Sequence, residues 1–348
     1  MSAALAERIR ARVEADGAIP VSAFVDAALY DPLDGFYATG GRAGRRGDFL
    51  TAPEVGPLFG AVISNAVDTW WRDAGKPARF VVAEHGAGPG TLARTISVAD
   101  GACLEAGALE WVMVERSDAQ RRSHPDGTHL RSVADDETLG QVDVVFANEL
   151  LDNLAFDVVA RRATGWVQRL VDVDGDRLQL IDGPPATAPP GAASAPIDTE
   201  LPIVGAARAW LGRQRATRPD ARIVVLDYAG RTSDLAARQG AWLRAFRGHQ
   251  RVSDWLAEPG TCDITVDLPL EQIDADADTV DTQAVFLRRH GIDALVAEGR
   301  RVWEERSAIG DLAALRARSR VTEAEALLDP DGMGAFVTLE WSPSGSGR

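Results

Sequence analysis

Three glycines, Gly86, Gly88 and Gly90, stand at G-x-G-x-G spacing directly after the short apolar run FVVAE (80–84). Glycine permits a positive φ and lets a ligand approach the backbone with no Cβ in the way. The spacing departs from the dinucleotide fingerprint G-x-G-x-x-G, with Thr91 and Leu92 in place of its third glycine. A pyrophosphate needs that close approach at a helix N-terminus. A nucleoside cofactor without phosphate needs backbone carbonyls and an acid, and Glu84, just ahead of the loop, suits an ammonium group. The run EWVMVE (110–115) ends in Glu115, where an acid can accept hydrogen bonds from both ribose hydroxyls. Beyond the next strand-like run, Asp135 and Asp136 are within reach of an adenine amino group. Taken singly, these features also read as a tight strand-to-helix turn and solvated strand-end acids.

A second group follows the run VDVVFANE (142–149). Asn148, Glu149 and Asp152 in ANELLDNLAFDVV (147–159) stand where carboxylates can orient an acceptor and take its proton. Paired carboxylates would also hold a guanidinium bidentately. Asn148 followed by Glu149 is equally good capping chemistry for a helix N-terminus. His249, in RGHQ with Arg244, Arg247 and Arg251 around it, is a candidate general base. The catalytic candidates are therefore Glu149, Asp152 and His249. Two cysteines, Cys103 and Cys262, and five histidines without an i, i+4 pair give no support for a metal site.

These residues need a scaffold of alternating strands and helices. Seven runs read as strands of one sheet: 80–84, 110–115, 129–133, 142–147, 222–228, 262–268 and 335–341. Helical spacing between them implies βαβ units and a mainly parallel α/β sheet, with the glycine loop where strand order reverses. WVQRLVDVDGDRLQLID (166–182) alternates on both sides of Asp174-Gly175 and reads as an inserted hairpin. PPATAPPGAASAP (184–196) reads as a surface linker, and 282–328 as helical material. Residues 1–75 are mostly helical, interrupted by a loop from Asp31 to Pro57. Leu5, Ile9 and Val13, four apart among charges, mark the apolar face of a first helix.

Composition narrows the function classes. The 348 residues carry 45% hydrophobic and 26% charged residues, as ordinary globular proteins do. A net charge of −15 argues against nucleic acid as the main partner and suits a cationic substrate or basic partner segment. No apolar run reaches eighteen residues, so membrane insertion by a helix is not expected. The first residues, MSAALAERIRARVEADG, lack the design of a secretory signal and carry the acids Glu7, Glu14 and Asp16, which a transit peptide avoids. The expected location is the cytoplasm.

Seven ordered blocks extend this reading. ALYDPLDGFYATG (28–40), GDFLTAPEVGPLFG (47–60), EHGAGPGTLA (84–93), ANELLDNLAFDV (147–158), LDYAG (226–230), RAFRGHQRVSDWLAEPGTCDIT (244–265) and FLRRHGI (286–292) together resemble the MidA family. That family includes a mitochondrial complex I assembly factor that methylates an arginine. The resemblance implies a Rossmann-like, seven-stranded class I methyltransferase fold, with S-adenosylmethionine as donor and a protein arginine in a basic segment as acceptor. It implies a helical N-terminal cap over 1–75 and a methyltransferase domain over 76–348, with a β-hairpin insertion near 160–218. Gly86, Gly88 and Gly90 match its cofactor loop, Glu115 its strand-end acid, and Asn148, Glu149 and Asp152 its post-strand motif, with Asn148 expected on the cofactor side. Asp48, Thr51 and Glu54 are the polar positions of GDFLTAPE, expected as part of a lid. A small-molecule methyltransferase, or a non-catalytic assembly protein that keeps the fold, would share these motifs. The hairpin and the Pro/Ala stretch are places where an oligomer or a partner could dock.

Overall fold

The computed structural model describes residues 2–39, 51–248, 250–273, 276–309 and 311–344. At its centre lies a seven-stranded sheet of β1 (Phe80–His85), β2 (Leu109–Val114), β3 (Leu130–Val133), β4 (Val144–Asn148), β5 (Arg222–Asp227), β6 (Thr279–Thr282) and β7 (Val337–Trp341). The spatial order is β6-β7-β5-β4-β1-β2-β3. β3, β2, β1, β4 and β5 run parallel, and β7 is antiparallel to both of its neighbours. From β1 the chain moves outward through β2 and β3, then returns to the opposite side of β1 with β4 and β5. Strand order thus reverses between β1 and β4, where His85 lies opposite Ala147. A ligand crevice belongs outside the carboxyl ends of these two strands.

β1 is buried along its whole length, as a parallel strand covered on both faces must be. Strand alternation sorts its side chains between two apolar cores. Val81 and Ala83 join Phe24 of helix Val21–Tyr30 and Leu211 of helix Gly205–Thr217. Phe80 and Val82 join Phe59 and Ile63 of helix Pro57–Asp73. Each such side chain contributes about 1.5–3 kcal/mol of burial. The first helix, Ser2–Asp16, puts Leu5, Ile9 and Val13 into the first core, so its one apolar face is what docks it.

Six of the seven expected strands lie in this sheet. The exception is 262–268: Asp263–Val266 pairs instead with Leu243–Arg247, in a separate three-stranded sheet. It is buried throughout, and a continuous apolar run reports that a strand is covered without saying by which partner. β6 takes the vacant place. It is a four-residue edge strand whose residues are half-buried and exposed by turns, too short and polar to stand out beside the helix that follows it.

The expected hairpin belongs to a five-stranded antiparallel sheet built from Ile19–Pro20, Asp157–Arg162, Gly165–Asp174, Arg177–Ala186 and Glu200–Ile203. Asp174 pairs with Arg177, so the turn residues are Gly175 and Asp176, one position later than the sequence reading. The strand Arg177–Ala186 also runs through Pro184 and Pro185, where a linker was expected. Proline is tolerated there because this strand is an edge and one row of its N–H groups needs no partner.

Candidate active site

A cavity of about 340 Å³ opens at the carboxyl ends of β1, β2 and β4. Gly86, Gly88 and Gly90 all have left-handed backbone, with φ of 70°, 53° and 78°. Gly86 and Gly88 lie on the cavity wall. A Cβ on Gly88 would meet nothing within 4 Å, whereas one on Gly86 would come 2.8 Å from a Leu150 methyl. Gly90 stands behind the wall: a Cβ there would lie 2.8 Å from the Pro125 ring and 3.1 Å from the Met113 sulfur. Its glycine serves packing and entry into helix Thr91–Ile96.

The end of β2 holds this loop in place. One Glu115 carboxylate oxygen accepts from the Gly88 N–H at 3.0 Å and the other from the Ser117 N–H at 2.8 Å. Burial raises the Glu115 pKa against those two bonds. Each oxygen keeps a second lone pair for a hydroxyl. Glu84 is 5% exposed and accepts from the Trp111 indole N–H at 2.7 Å. Burial pushes its carboxyl up to about 8. Asp135 is exposed at the cavity rim, where its side chain accepts from the Glu137 N–H at 3.1 Å. Its neighbour Asp136 is tied to helix Gly205–Thr217 by Gln214 at 2.7 Å.

Past β4 the chain does not enter a capped α-helix. Asn148 and Glu149 precede a 3-10 turn over Leu151–Asn153 that has no side-chain cap. Glu149 has φ 51°, a left-handed conformation for a residue that bears a Cβ, at a cost of about 1–2 kcal/mol. Its Oε1 accepts from the Ala52 N–H at 2.9 Å and from the Asn148 amide at 3.0 Å, which leaves Oε2 for an acceptor. Burial pushes the Glu149 carboxyl up to about 8. Asn148 Oδ1 is buried without a partner, an acceptor awaiting a donor at the cavity wall.

Asp152, read from the sequence as a catalytic carboxylate, is placed elsewhere. It lies in the 3-10 turn, 2% exposed and off the cavity wall. Burial, followed by the charges of Asp227, Glu149 and Asp263, raises its pKa well above the carboxylate range. His249 and Asp48 lie outside the described residues. Thr51 and Glu54 are on the cavity wall, with Glu54 accepting from the Thr91 hydroxyl. The short helix Ala52–Val55 therefore touches the glycine loop through Glu54 and the turn after β4 through Ala52.

Several wall residues escaped the sequence reading. Tyr30 and Tyr37 stack at 5.5 Å, and the Arg116 guanidinium lies 4.1 Å from the Tyr30 ring centre. The Tyr37 hydroxyl donates to Asp263 at 2.9 Å, and the Asn153 amide donates to the same oxygen at 3.0 Å. Trp210 and Arg213 close the far side, Trp210 edge-on to His85 at 5.2 Å. Nothing local marks these positions, because helix Gly205–Thr217 reaches the site only through the sheet topology. Asp227 was legible in principle: it ends a strand as Glu115 follows one.

Six carboxyls (Glu54, Glu84, Glu115, Asp135, Asp136, Glu149) line the described cavity against the two guanidiniums Arg116 and Arg213. Such a wall offers hydrogen-bond acceptors to ammonium groups and diols. The open position at Gly88, the unpartnered Asn148 oxygen and the Glu115 carboxylate fit a cationic nucleoside such as S-adenosylmethionine.

A family model described as "Putative S-adenosyl-L-methionine-dependent methyltransferase" matches residues 62–286. The chain is 26% identical over 317 residues to the mitochondrial protein arginine methyltransferase NDUFAF7 homolog of Drosophila melanogaster, covering 79% of this chain and 70% of that one. It is 26% identical over 334 residues to mitochondrial NDUFAF7 of Mus musculus, covering 81% and 73%. A Burkholderia thailandensis crystal structure with S-adenosyl-homocysteine bound superposes with a TM-score of 0.84 at 27% identity, covering 100% of this chain and 94% of that one. A native structure from the same organism gives 0.82 at 26% identity, covering 100% and 93%.

Proposed function

We propose, from the premise that this chain belongs to the MidA-type family of S-adenosylmethionine-dependent methyltransferases, that it methylates arginine side chains in basic protein segments. Its methyl donor is S-adenosylmethionine. The observation that carries the acceptor reading is Glu149, a carboxyl on the cavity wall with Oε1 fixed by two donors. The mitochondrial relatives, named protein arginine methyltransferases, support the same acceptor.

The residues divide the work. Glu115 would hold the ribose diol, while Glu84 and Asn148 Oδ1 would receive the donor's ammonium side. Gly86 and Gly88 let the donor lie against bare backbone. When bound, S-adenosylmethionine supplies an electrophilic methyl group. Glu149 Oε2 then has two tasks. In the ligand-free site its carboxyl, near 8, is mostly protonated at neutral pH. An arriving guanidinium stabilises the carboxylate and draws that proton off. The carboxylate can orient the guanidinium and take up the proton it sheds on methylation. The acidic wall and the net charge of −15 favour approach of a basic segment.

The test is transfer of a labelled methyl group from S-adenosylmethionine to a cell lysate, followed by residue-level mass spectrometry. Label on arginine is the expected outcome. Label confined to small molecules or to other side chains overturns the arginine assignment and leaves the donor site standing.

A further inference from the structure

Asp227 closes β5 one strand away from Glu149, is 2% exposed, and does not line the cavity. Its carboxylate nevertheless holds the turn that carries Glu149. Oδ2 accepts from the Leu151 N–H at 2.7 Å, and Oδ1 from the Tyr228 N–H at 2.8 Å. On the other side of Glu149, its own N–H donates to the Leu226 carbonyl at 2.8 Å. Leu226 pairs with Asn148 in the sheet, so the ladder ends one residue before Glu149.

Glu149 is thus bracketed by consecutive residues of β5. Leu226 holds its N–H, and Asp227 holds the N–H of Leu151, two residues on. The chain must turn between these anchors within one residue, and a left-handed φ makes that turn. The same turn brings the Glu149 carboxyl to Ala52 and Asn148. A glycine would adopt this backbone without strain, but it would bring no carboxyl.

We infer that Asp227 is a positioning residue for methyl transfer, acting by fixing the backbone that presents Glu149 to the acceptor. The inference rests on the reading of Glu149 as the acceptor-side carboxyl. The carboxyls of Asp152 and Asp263 are buried as well. Asp227 itself reaches neither ligand.

The experiment is a double-mutant cycle on the full chain, with Asp227→Asn and Glu149→Gln alone and combined. Total labelled methyl transferred to lysate protein is measured, with S-adenosyl-homocysteine affinity and melting temperature for each variant. An asparagine keeps the shape but offers one acceptor oxygen where the N–H groups need two. Asp227→Asn is expected to lower transfer about tenfold or more, keep affinity within about threefold, and add little in the Glu149→Gln background. Equal losses in both backgrounds would show a general structural role and overturn the inference, as would no loss in Glu149→Gln alone. If Asp227→Asn does not fold, Asp227→Glu, which keeps both oxygens but displaces them by a methylene, runs through the same cycle with the same criteria. Total label is read without regard to the residue modified, so a non-arginine acceptor overturns the proposed function and not this inference.

Discussion

Two turns meet at the cavity, one after β1 and one after β4, and both pass through left-handed backbone. In the first, three of five residues are glycine, and at Gly88 the space a side chain would fill is empty. In the second, the left-handed residue is a glutamate. One turn yields to a ligand by removing side chains; the other presents one by holding it in a conformation it disfavours. The difference lies in what holds each turn. The glycine loop is secured from β2 by the Val114 carbonyl, which accepts from the Gly86 and Ala87 N–H groups, and by the Glu115 carboxylate, which accepts from Gly88. The turn after β4 is bracketed by consecutive groups of β5 and braced by Ala52 from the N-terminal segment.

The contrast can be broken at each turn. Gly88→Val places a side chain where the donor would lie and should lower S-adenosyl-homocysteine affinity about 100-fold or more, read by calorimetry. A Gly90→Val variant should lose stability instead, because its side chain meets Pro125 and Met113. If the two behaved alike, the glycines would not divide between ligand and packing roles. Glu149→Gln should reduce methyl transfer about 10²-fold, the scale of a lost general base, with affinity for S-adenosyl-homocysteine within about threefold. Glu115→Gln should do the reverse, weakening that affinity about tenfold, as loss of charged hydrogen bonds does. A larger effect of Glu115→Gln on transfer at saturating donor than on affinity would erase the distinction.

The smallest effect is on pH dependence. Burial holds Glu84 and Glu149 near 8 in the folded protein, against 4.5 for an exposed carboxyl. Between those values the folded state binds more protons than the unfolded state, so stability falls as pH rises. Glutamine at either position should flatten that decline, raising the melting temperature at pH 8 relative to pH 5 by a few degrees, roughly. An unchanged slope in both variants would mean that neither carboxyl is held protonated.

Sequence and structure agree most where chemistry is local. The glycine loop, Glu115 and Glu149 each follow, and Asn148 ends, a strand whose apolar run is unmistakable, and all but Gly90 of the loop glycines reach the wall. Asp152 is off the wall because the chain after β4 makes a 3-10 turn, which spacing alone does not encode. Trp210, Tyr37 and Asp263 were illegible for a different reason: each reaches the site from a distant part of the chain. The same limit produced the exchange of Asp263–Val266 for β6. Both errors concern partners, and a strand's own residues report how deeply it is covered better than which neighbour covers it.

β7 follows β5 and β6 in the sequence yet lies between them, with Leu339 paired to Val225 on one side and Val280 on the other. During synthesis, then, β5 has no partner on that side until residues 337–341 have emerged. Asp227 ends this half-paired strand. The nascent protein must shield an open, apolar sheet edge, a template for pairing with other chains, for as long as the ribosome needs to finish it. Loss of the last dozen residues would therefore be felt first in solubility during expression, before any assay of methyl transfer could be made.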